Sequence, residues 1–407
     1  MKNFTIGIIR EGKVPPDHRV ALTPNQCVQI QSTYPTVNFV IQPSPIRAYK
    51  DEEYVSKGLE LNEDLSACDL IIGVKEVNIA DLIPNKKFMF FSHTLKKQPY
   101  NRGLLNAILE KKIELIDYEA IRNKQNKRII GFGRYAGIVG AYNAFRTFGL
   151  KSGLYELQAA HKCKDRKTME QAMVETVVLP KNYKVVLTGF GRVGQGAREI
   201  VNLLPIKEVT PSEFLNESFD EPVFTHLDAE DYYGRIDGKQ FDKADFYTNP
   251  SQYQSTFNRF VGLTDMYIPC HFWSNKSPFI LTNDDLLSEN SRIKVVADIS
   301  CDIAGPIACT IRPSKVADPI YGYNPITKME DDYKNEGIIA VMAIDNLPCE
   351  LPLDASEDFG NELMRFVLPF LVGEDPDRII ARATETTSEG TLTPEFSYLQ
   401  AYIEGRE

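Results

Sequence analysis

Lys184–Gly196, KVVLTGFGRVGQG, constrains this chain more than any other stretch. Val185-Val186-Leu187 is a short apolar, β-branched run, long enough for a buried strand and too short for a helix. Gly189, Gly191 and Gly194 follow in G-x-G-x-x-G spacing, and Ala197–Leu204 then places apolar residues at helical intervals. A strand, a glycine turn and a helix in that order make a phosphate cradle. The first glycine permits the tight turn, the second lets a pyrophosphate approach the backbone, and the third lets helix pack on strand. The helix N-terminus adds unpaired N–H groups and a favourable dipole. Dinucleotide binding through Gly189, Gly191, Arg192, Val193 and Gly194 is the expectation; an ordinary βα turn is the bland alternative.

A chain of 407 residues, 43% hydrophobic, suffices for two domains with sizeable cores. Its net charge of −10 argues against a nucleic-acid footprint. No apolar run approaches membrane-spanning length and the first residues lack a signal-peptide core, so no membrane association is expected. Seven scattered cysteines without a C-x-x-C pair fit a reduced, cytoplasmic protein, and no metal site is expected.

Before the glycine stretch, Thr5–Ile9, Phe39–Ile41, Leu70–Val74, Phe88–Phe91 and Glu114–Ile116 read as strands alternating with helices near Asn25–Ser32 and Asn101–Lys111. Gly137–Phe148 reads as a helix leading into a second domain. Later strand candidates are Phe246–Tyr247, Met266–Ile268, Ile293–Ala297 and Ile338–Ala343, while residues 207–260 read as irregular around one or two short strands. Asp354–Leu371 is an amphipathic helix introduced by Pro352 and capped by Asp354 or Ser356; Phe396–Ile403 suggests a last helix. The fold class is α/β: two Rossmann-like, doubly wound parallel-sheet domains flanking a cleft.

Several charged groups stand just past apolar strands, where βα loops place ligand-facing side chains. Lys13 and Arg19 lie in IREGKVPPDHRVALTP, and the planar Arg19 fork suits a carboxylate. Lys75-Glu76 ends the IIGV strand; a partly buried lysine there has its pKa lowered and serves as acid or base, unless it snorkels to water. His93 follows the next strand, with Lys96 and Gln98 beyond it, so Lys75 and His93 share a crevice if those strands are parallel neighbours. A structural histidine is the alternative. Glu119 follows the strand after that, with Arg128 and Phe132 further on. Asp298 and Asp302 follow a buried strand of the later domain, and Asp345-Asn346-Leu347 precede a proline turn.

The R-V-A-L-T-P loop, Gly73-x-Lys75-Glu76, Ser92-His93-x-x-Lys96-x-Gln98 and the later glycine turn resemble the alanine dehydrogenase/transhydrogenase superfamily. Gly131–Gly140, Ala297–Asp302 and Ile344–Gly360 narrow the resemblance to the lysine-forming saccharopine dehydrogenases, above all to the reductase half of the bifunctional aminoadipic semialdehyde synthases. The resemblance spans nearly the whole chain. It implies an enzyme interconverting lysine, 2-oxoglutarate and reduced nicotinamide cofactor with saccharopine. It implies that Lys75 and His93 are the acid–base pair, tuned by Glu76 and Glu119. Lys13, Arg19, Lys96, Gln98, Arg128, Phe132 and Asp345 are implied for substrate, and Asp302, Asn346 and Leu347 for the cofactor. It also implies a discontinuous first domain, 1–135 plus 345–407, around a dinucleotide domain, 136–344. An alanine dehydrogenase-like enzyme and a catalytically inactive nucleotide-binding regulator are the rivals, and both monomer and homodimer stay open.

The acid that binds an NAD ribose about 20 residues past the first glycine is not obvious, because Glu208 lies inside the expected strand Ile206–Val209 and not at its end. Thr210 and Ser212 follow instead, and these hydroxyls with Arg192 suit a 2′-phosphate, so the expectation favours NADP(H) over NAD(H).

Overall fold

Buried β-branched and aromatic runs of a few residues cannot form helices on their own and pair as strands. The computed structural model describes residues 3–406, and among them such runs build two compact units. The chain up to Phe132 and from Pro352 onward forms the first; Gly133–Leu351 forms the second. No helix among the described residues is long and apolar enough to cross a membrane.

The first unit carries β1 (Phe4–Ile8), β2 (Val37–Ile41), β3 (Glu60–Leu61), β4 (Leu70–Ile72), β5 (Lys87–Phe90) and β6 (Glu114–Asp117). They pair in the order β3-β2-β1-β4-β5-β6, every neighbour parallel. Helices α1 (Pro24–Thr33), α2 (Asp51–Ser56) and α3 (Arg102–Glu110) serve the connections. Thr23 starts α1 with a reciprocal capping box to Gln26. The order reverses between β1 and β4, so the loops leaving those strands diverge and open a crevice at the carboxyl ends.

The C-terminal return completes this unit. Helix Pro352–Phe366 docks on α1: Gln26 Nε2 donates to the Glu357 carbonyl at 2.8 Å, and Ser356 Oγ accepts from Val20 N at 2.9 Å. Further on, Thr384 bridges antiparallel to Ile116, and Glu385 N donates to the Leu115 carbonyl at 2.7 Å, which covers the open edge at β6.

The second unit opens with α4 (Gly133–Ser152) and α5 (Arg166–Thr176). Then come β7 (Lys184–Thr188), α6 (Arg192–Val201), β8 (Lys207–Glu208), α7 (Pro211–Asn216), β9 (Val223–Leu227) and α8 (Ala229–Tyr232). After the hairpin β10 (Tyr233–Arg235) and β11 (Tyr253–Ser255), with helix α9 (Lys243–Thr248) between its strands, follow β12 (Met266–Pro269) and β13 (Val295–Ala297). The antiparallel β14 (Ile320–Asn324) and β15 (Met329–Asp331) precede β16 (Ile339–Met342). The sheet order is β15-β14-β16-β13-β12-β7-β9-β8, and it reverses between β7 and β12.

Three sequence expectations are corrected. Phe246–Tyr247 lies in α9, because Asp242 caps that helix by accepting from Asp245 N, and Phe246 packs on Tyr233 and Tyr253. Val223–Leu227, inside the stretch read as irregular, is a fully buried five-residue strand; Thr225 and His226 disguise it, although His226 Nε2 is bonded to the Gly189 carbonyl at 2.8 Å. The helix expected over Asp354–Leu371 begins at Pro352, so Asp354 and Ser356 lie within it. It stops at Phe366 because Val367 leaves helical geometry ahead of Pro369, which has no N–H to give.

Candidate active site and dinucleotide cradle

Lys75 and His93 each stand three residues beyond a strand end, Ile72 of β4 and Phe90 of β5. Those strands are parallel neighbours, so both side chains belong to one rim of the sheet. The loop leaving β1 reaches the same rim across the reversal point. Glu11 accepts Val74 N at 2.6 Å and Lys75 N at 2.8 Å, fixing the backbone that carries the lysine. Lys13 Nζ lies 3.0 Å from Glu76 Oε2, and the other Glu76 oxygen lies 2.7 Å from His93 Nδ1.

These contacts set the charges. Burial of Lys75, with the positive charges of Arg19 and Lys13 nearby, draws its pKa down to about 8 against the pull of Asp17 and Glu76. Burial works against ionisation of Glu76, but its bond to His93, the His93 charge and Lys13 outweigh it and carry the carboxyl down to about 2. A permanent carboxylate at Nδ1 fixes the His93 tautomer: Nδ1 holds the proton, and Nε2 is the nitrogen that exchanges one. Glu11 goes the other way, pushed up to about 7 by burial.

An aromatic floor underlies this rim. Phe132 stacks on Phe359 with centroids 4.4 Å apart, and Phe91 lies 6.0 Å from Phe132 and 6.3 Å from the His93 ring. Arg19 caps Phe132, its guanidinium carbon 4.2 Å above the ring. The Arg19 fork, expected to meet a substrate carboxylate, is committed to Asp17 through Nε and Nη2, and only 2% of the residue is exposed. Glu119 lies 3.5 Å from Arg128 and 3.9 Å from Lys96, so its carboxylate holds two half-exposed cations. Gln98 has a buried Oε1 with no hydrogen-bond partner among the described residues.

In the second unit the glycine turn joins β7 to α6 at the reversal point of the sheet. Gly189 has φ +96°, and a Cβ there would meet the Cys270 carbonyl at 2.7 Å; one on Gly194 would meet the Gly189 carbonyl at 1.8 Å. Gly191 differs: φ is −73°, and a Cβ would meet nothing within 4 Å. It N-caps the ten-residue α6 without any side-chain cap. Open space in front of a helix N-terminus, beside two glycines that the turn itself demands, fits a pyrophosphate. Arg192 and Val193 form the first turn of α6. Asp302 follows β13 at the carboxyl end of the same sheet. Asp345, exposed, with Asn346 and buried Leu347, follows β16 in this second unit, whereas the remaining expected substrate residues lie in the first.

Thr210 and Ser212 are not brought to the turn. They follow β8, which is the outer strand; β9 is the strand that pairs with β7. Two strand spacings, roughly 10 Å, separate β8 from the glycine strand, and Thr210 closes a capping box with Glu213. The adjacent strand β9 ends at Leu227, and Asp228 follows it. The usual spacing of about 20 residues past the first glycine does not reach Asp228, because the short outer strand β8 intervenes before β9. Asp228 Oδ1 accepts Ala229 N, and Lys243 Nζ lies 2.7 Å from Oδ2.

A parallel sheet with a lysine–histidine–carboxylate rim and a mostly parallel sheet with a glycine cradle, each with a reversal point, have the fold of the Rossmann-type dehydrogenases. A solved L-alanine dehydrogenase superimposes with a TM-score of 0.66 over 98% of this chain and 100% of that one, at 15% identity. Residues 7–139 match the alanine dehydrogenase/PNT N-terminal domain. More particularly, the chain is similar in sequence to the alpha-aminoadipic semialdehyde synthases and to the lysine-forming saccharopine dehydrogenases. It is 31% identical to alpha-aminoadipic semialdehyde synthase of Arabidopsis thaliana over 90% of this chain and 38% of that protein. It is 24% identical to saccharopine dehydrogenase [NAD(+), L-lysine-forming] of Neurospora crassa over 94% of this chain and 96% of that one. The chain spans less than half the length of the semialdehyde synthases it matches, 38% in Arabidopsis thaliana and 45% in Mus musculus.

Proposed function

We propose that this chain is a nicotinamide-dependent oxidoreductase that interconverts L-lysine, 2-oxoglutarate and reduced cofactor with saccharopine and oxidised cofactor. The carrying observation is Glu76, bonded at once to His93 Nδ1 and to Lys13, beside a lysine drawn down to about 8. The similarity to alpha-aminoadipic semialdehyde synthase and to lysine-forming saccharopine dehydrogenase supports the substrate. The first unit holds the amino and keto acids. Lys13, Lys96 and Arg128 meet their carboxylates, Gln98 adds a polar contact, and Phe132 packs on the carbon chain. The second unit holds the dinucleotide through Gly189–Gly194, with Asp302, Asp345, Asn346 and Leu347 lining its further reach.

Condensation requires a neutral substrate ε-amine, then protons given to and taken from the carbinolamine until water leaves and the imine stands. Lys75 Nζ and His93 Nε2 move those protons, while Glu76 keeps the histidine oriented. The bound cofactor supplies the hydride that reduces the imine. With wild-type protein and reduced cofactor, lysine plus 2-oxoglutarate is expected to deplete reduced-cofactor absorbance. Pyruvate plus ammonia is expected to leave it unchanged. The opposite pattern assigns the chain to alanine dehydrogenase chemistry, and no turnover with either assigns it to nucleotide binding alone.

The cofactor form turns on Asp228. Thr210 and Ser212 follow the outer strand, two strand spacings from the glycine turn, whereas a carboxylate after the adjacent strand is the group that suits a ribose 2′-hydroxyl. Asp228 in that position supports NADH over NADPH. Asp228→Asn is expected to raise the ratio of kcat/KM for NADPH over NADH roughly tenfold, the size of one charge contact near a protein surface. An unchanged ratio removes Asp228 from the cofactor site.

A further inference from the structure

Directly beneath the His93 rim lie two acids that the proton transfers do not use. Asp117, the last residue of β6, and Glu385, on the segment bridged to β6, are both fully buried. Neither forms an ion pair among the described residues. Asp117 Oδ2 accepts Ser92 N at 3.0 Å and also the Ser92 hydroxyl. Its Oδ1 accepts Glu119 N at 2.5 Å. Glu385 Oε2 accepts the Thr94 hydroxyl at 2.7 Å, and the Ser92 and Thr94 hydroxyls lie 2.6 Å apart.

The residue between those two hydroxyls is His93, and its backbone is left-handed, at φ 54° and ψ 16°. Such a conformation is strained for a non-glycine residue and persists only where its surroundings impose it. Here both neighbours of the histidine are clamped to the same pair of acids, and the Glu119 backbone is clamped to one of them. Two full charges in one unpaired buried site are strongly unfavourable, so the site favours a proton on at least one carboxyl. Burial raises both acids, and the charge of Asp117 raises Glu385 further.

We propose that Asp117 and Glu385, sharing one proton, are positioning residues that hold His93 and Glu119 in place through Ser92 and Thr94. The C-terminal return thereby takes on a functional task, since it carries Glu385 to the edge of the sheet at β6. It rests on the acid–base reading of His93 but is tested apart from it.

The experiment compares Glu385→Gln, Glu385→Leu and Thr94→Val in the full chain. It records kcat, KM, NADH affinity and the His93 ring resonances by NMR, assigned by their loss in His93→Gln. An amide still accepts from Thr94 and donates where the shared proton stood. Glu385→Gln is therefore expected to keep kcat within about threefold of wild type and to leave the His93 resonances in place. Glu385→Leu is expected to lower kcat about 100-fold, the effect of displacing a catalytic group by about 1 Å. Thr94→Val, which removes one hydroxyl from a near-isosteric side chain, is expected to lower it about tenfold. Both shift the His93 resonances and leave NADH affinity unchanged. Thr94→Val carries the test if Glu385→Leu does not fold. Unmoved His93 resonances in Thr94→Val overturn the proposal, and so does a Glu385→Gln variant as impaired as Glu385→Leu. If wild-type protein turns over neither substrate pair while the resonances shift as described, the substrate reading fails and the positioning pair stands.

Discussion

Lys75→Met and His93→Gln are each expected to lower kcat by roughly 10²–10⁴-fold, the span of general acid–base catalysis, with dinucleotide affinity intact. The direction follows from geometry. Lys75 Nζ makes no hydrogen bond or ion pair among the described residues, yet it sits partly buried between two cations and is drawn to about 8. Burial and like charges both favour the neutral amine, so near neutrality a substantial fraction of Lys75 is ready to accept a proton. The rate is then expected to rise with pH until about 8 and level off, and this limb is expected to vanish in Lys75→Met. Lys13→Met removes one of the charges that depress the lysine and moves the same limb to higher pH. The measurement is kcat against pH for each variant. If both Lys75→Met and His93→Gln stay within a few-fold of wild type, the pair is not the acid–base machinery. Lys75 then neutralises a substrate charge, and His93 is structural.

The legible part of this protein was the part encoded by neighbours in sequence. Strands β4, β5 and β6 are short, largely apolar runs, each followed within three residues by a charged or titratable group, so Lys75, His93 and Glu119 stood out as candidates. The glycine turn did so for the same reason: its spacing and the flanking strand and helix are all local. What was hidden depends on pairing across long separations. The outer position of β8 is decided by which strand β9 chooses, and no short-range pattern encodes that choice. With β9 masked by Thr225 and His226, Asp228 had no strand end to mark it. Arg19 read as a ligand-facing fork because a charged loop usually faces water, whereas Asp17, two residues away, takes that fork into the interior. Glu385 is the extreme case, since a Thr-Glu-Thr-Thr segment looks like solvated loop until the sheet edge it covers is known.

Gly191→Val is expected to weaken NADH binding at least 100-fold, about 2.7 kcal/mol, with the fold intact. The three glycines of the turn separate cleanly on this point. Alanine at Gly189 or Gly194 places a Cβ 2.7 Å or 1.8 Å from a backbone carbonyl, so those substitutions distort the turn and confuse lost binding with lost structure. At Gly191 the backbone is in an ordinary extended region and the Cβ points into open space, so nothing in the protein resists a side chain. Only a ligand pressed against the α6 N-terminus would. Replacing a glycine at a helix N-cap by an apolar residue costs about 1 kcal/mol of stability, a small fraction of what a unit of this size holds. Thermal unfolding of the free protein is therefore expected to change by a few degrees at most, while calorimetric titration with NADH loses its signal. Wild-type affinity in Gly191→Val removes the glycine turn from the cofactor site. Lost affinity together with a collapsed unfolding transition is resolved by Gly191→Ala, whose single methyl group is the smallest addition at this position yet still stands where the pyrophosphate must approach.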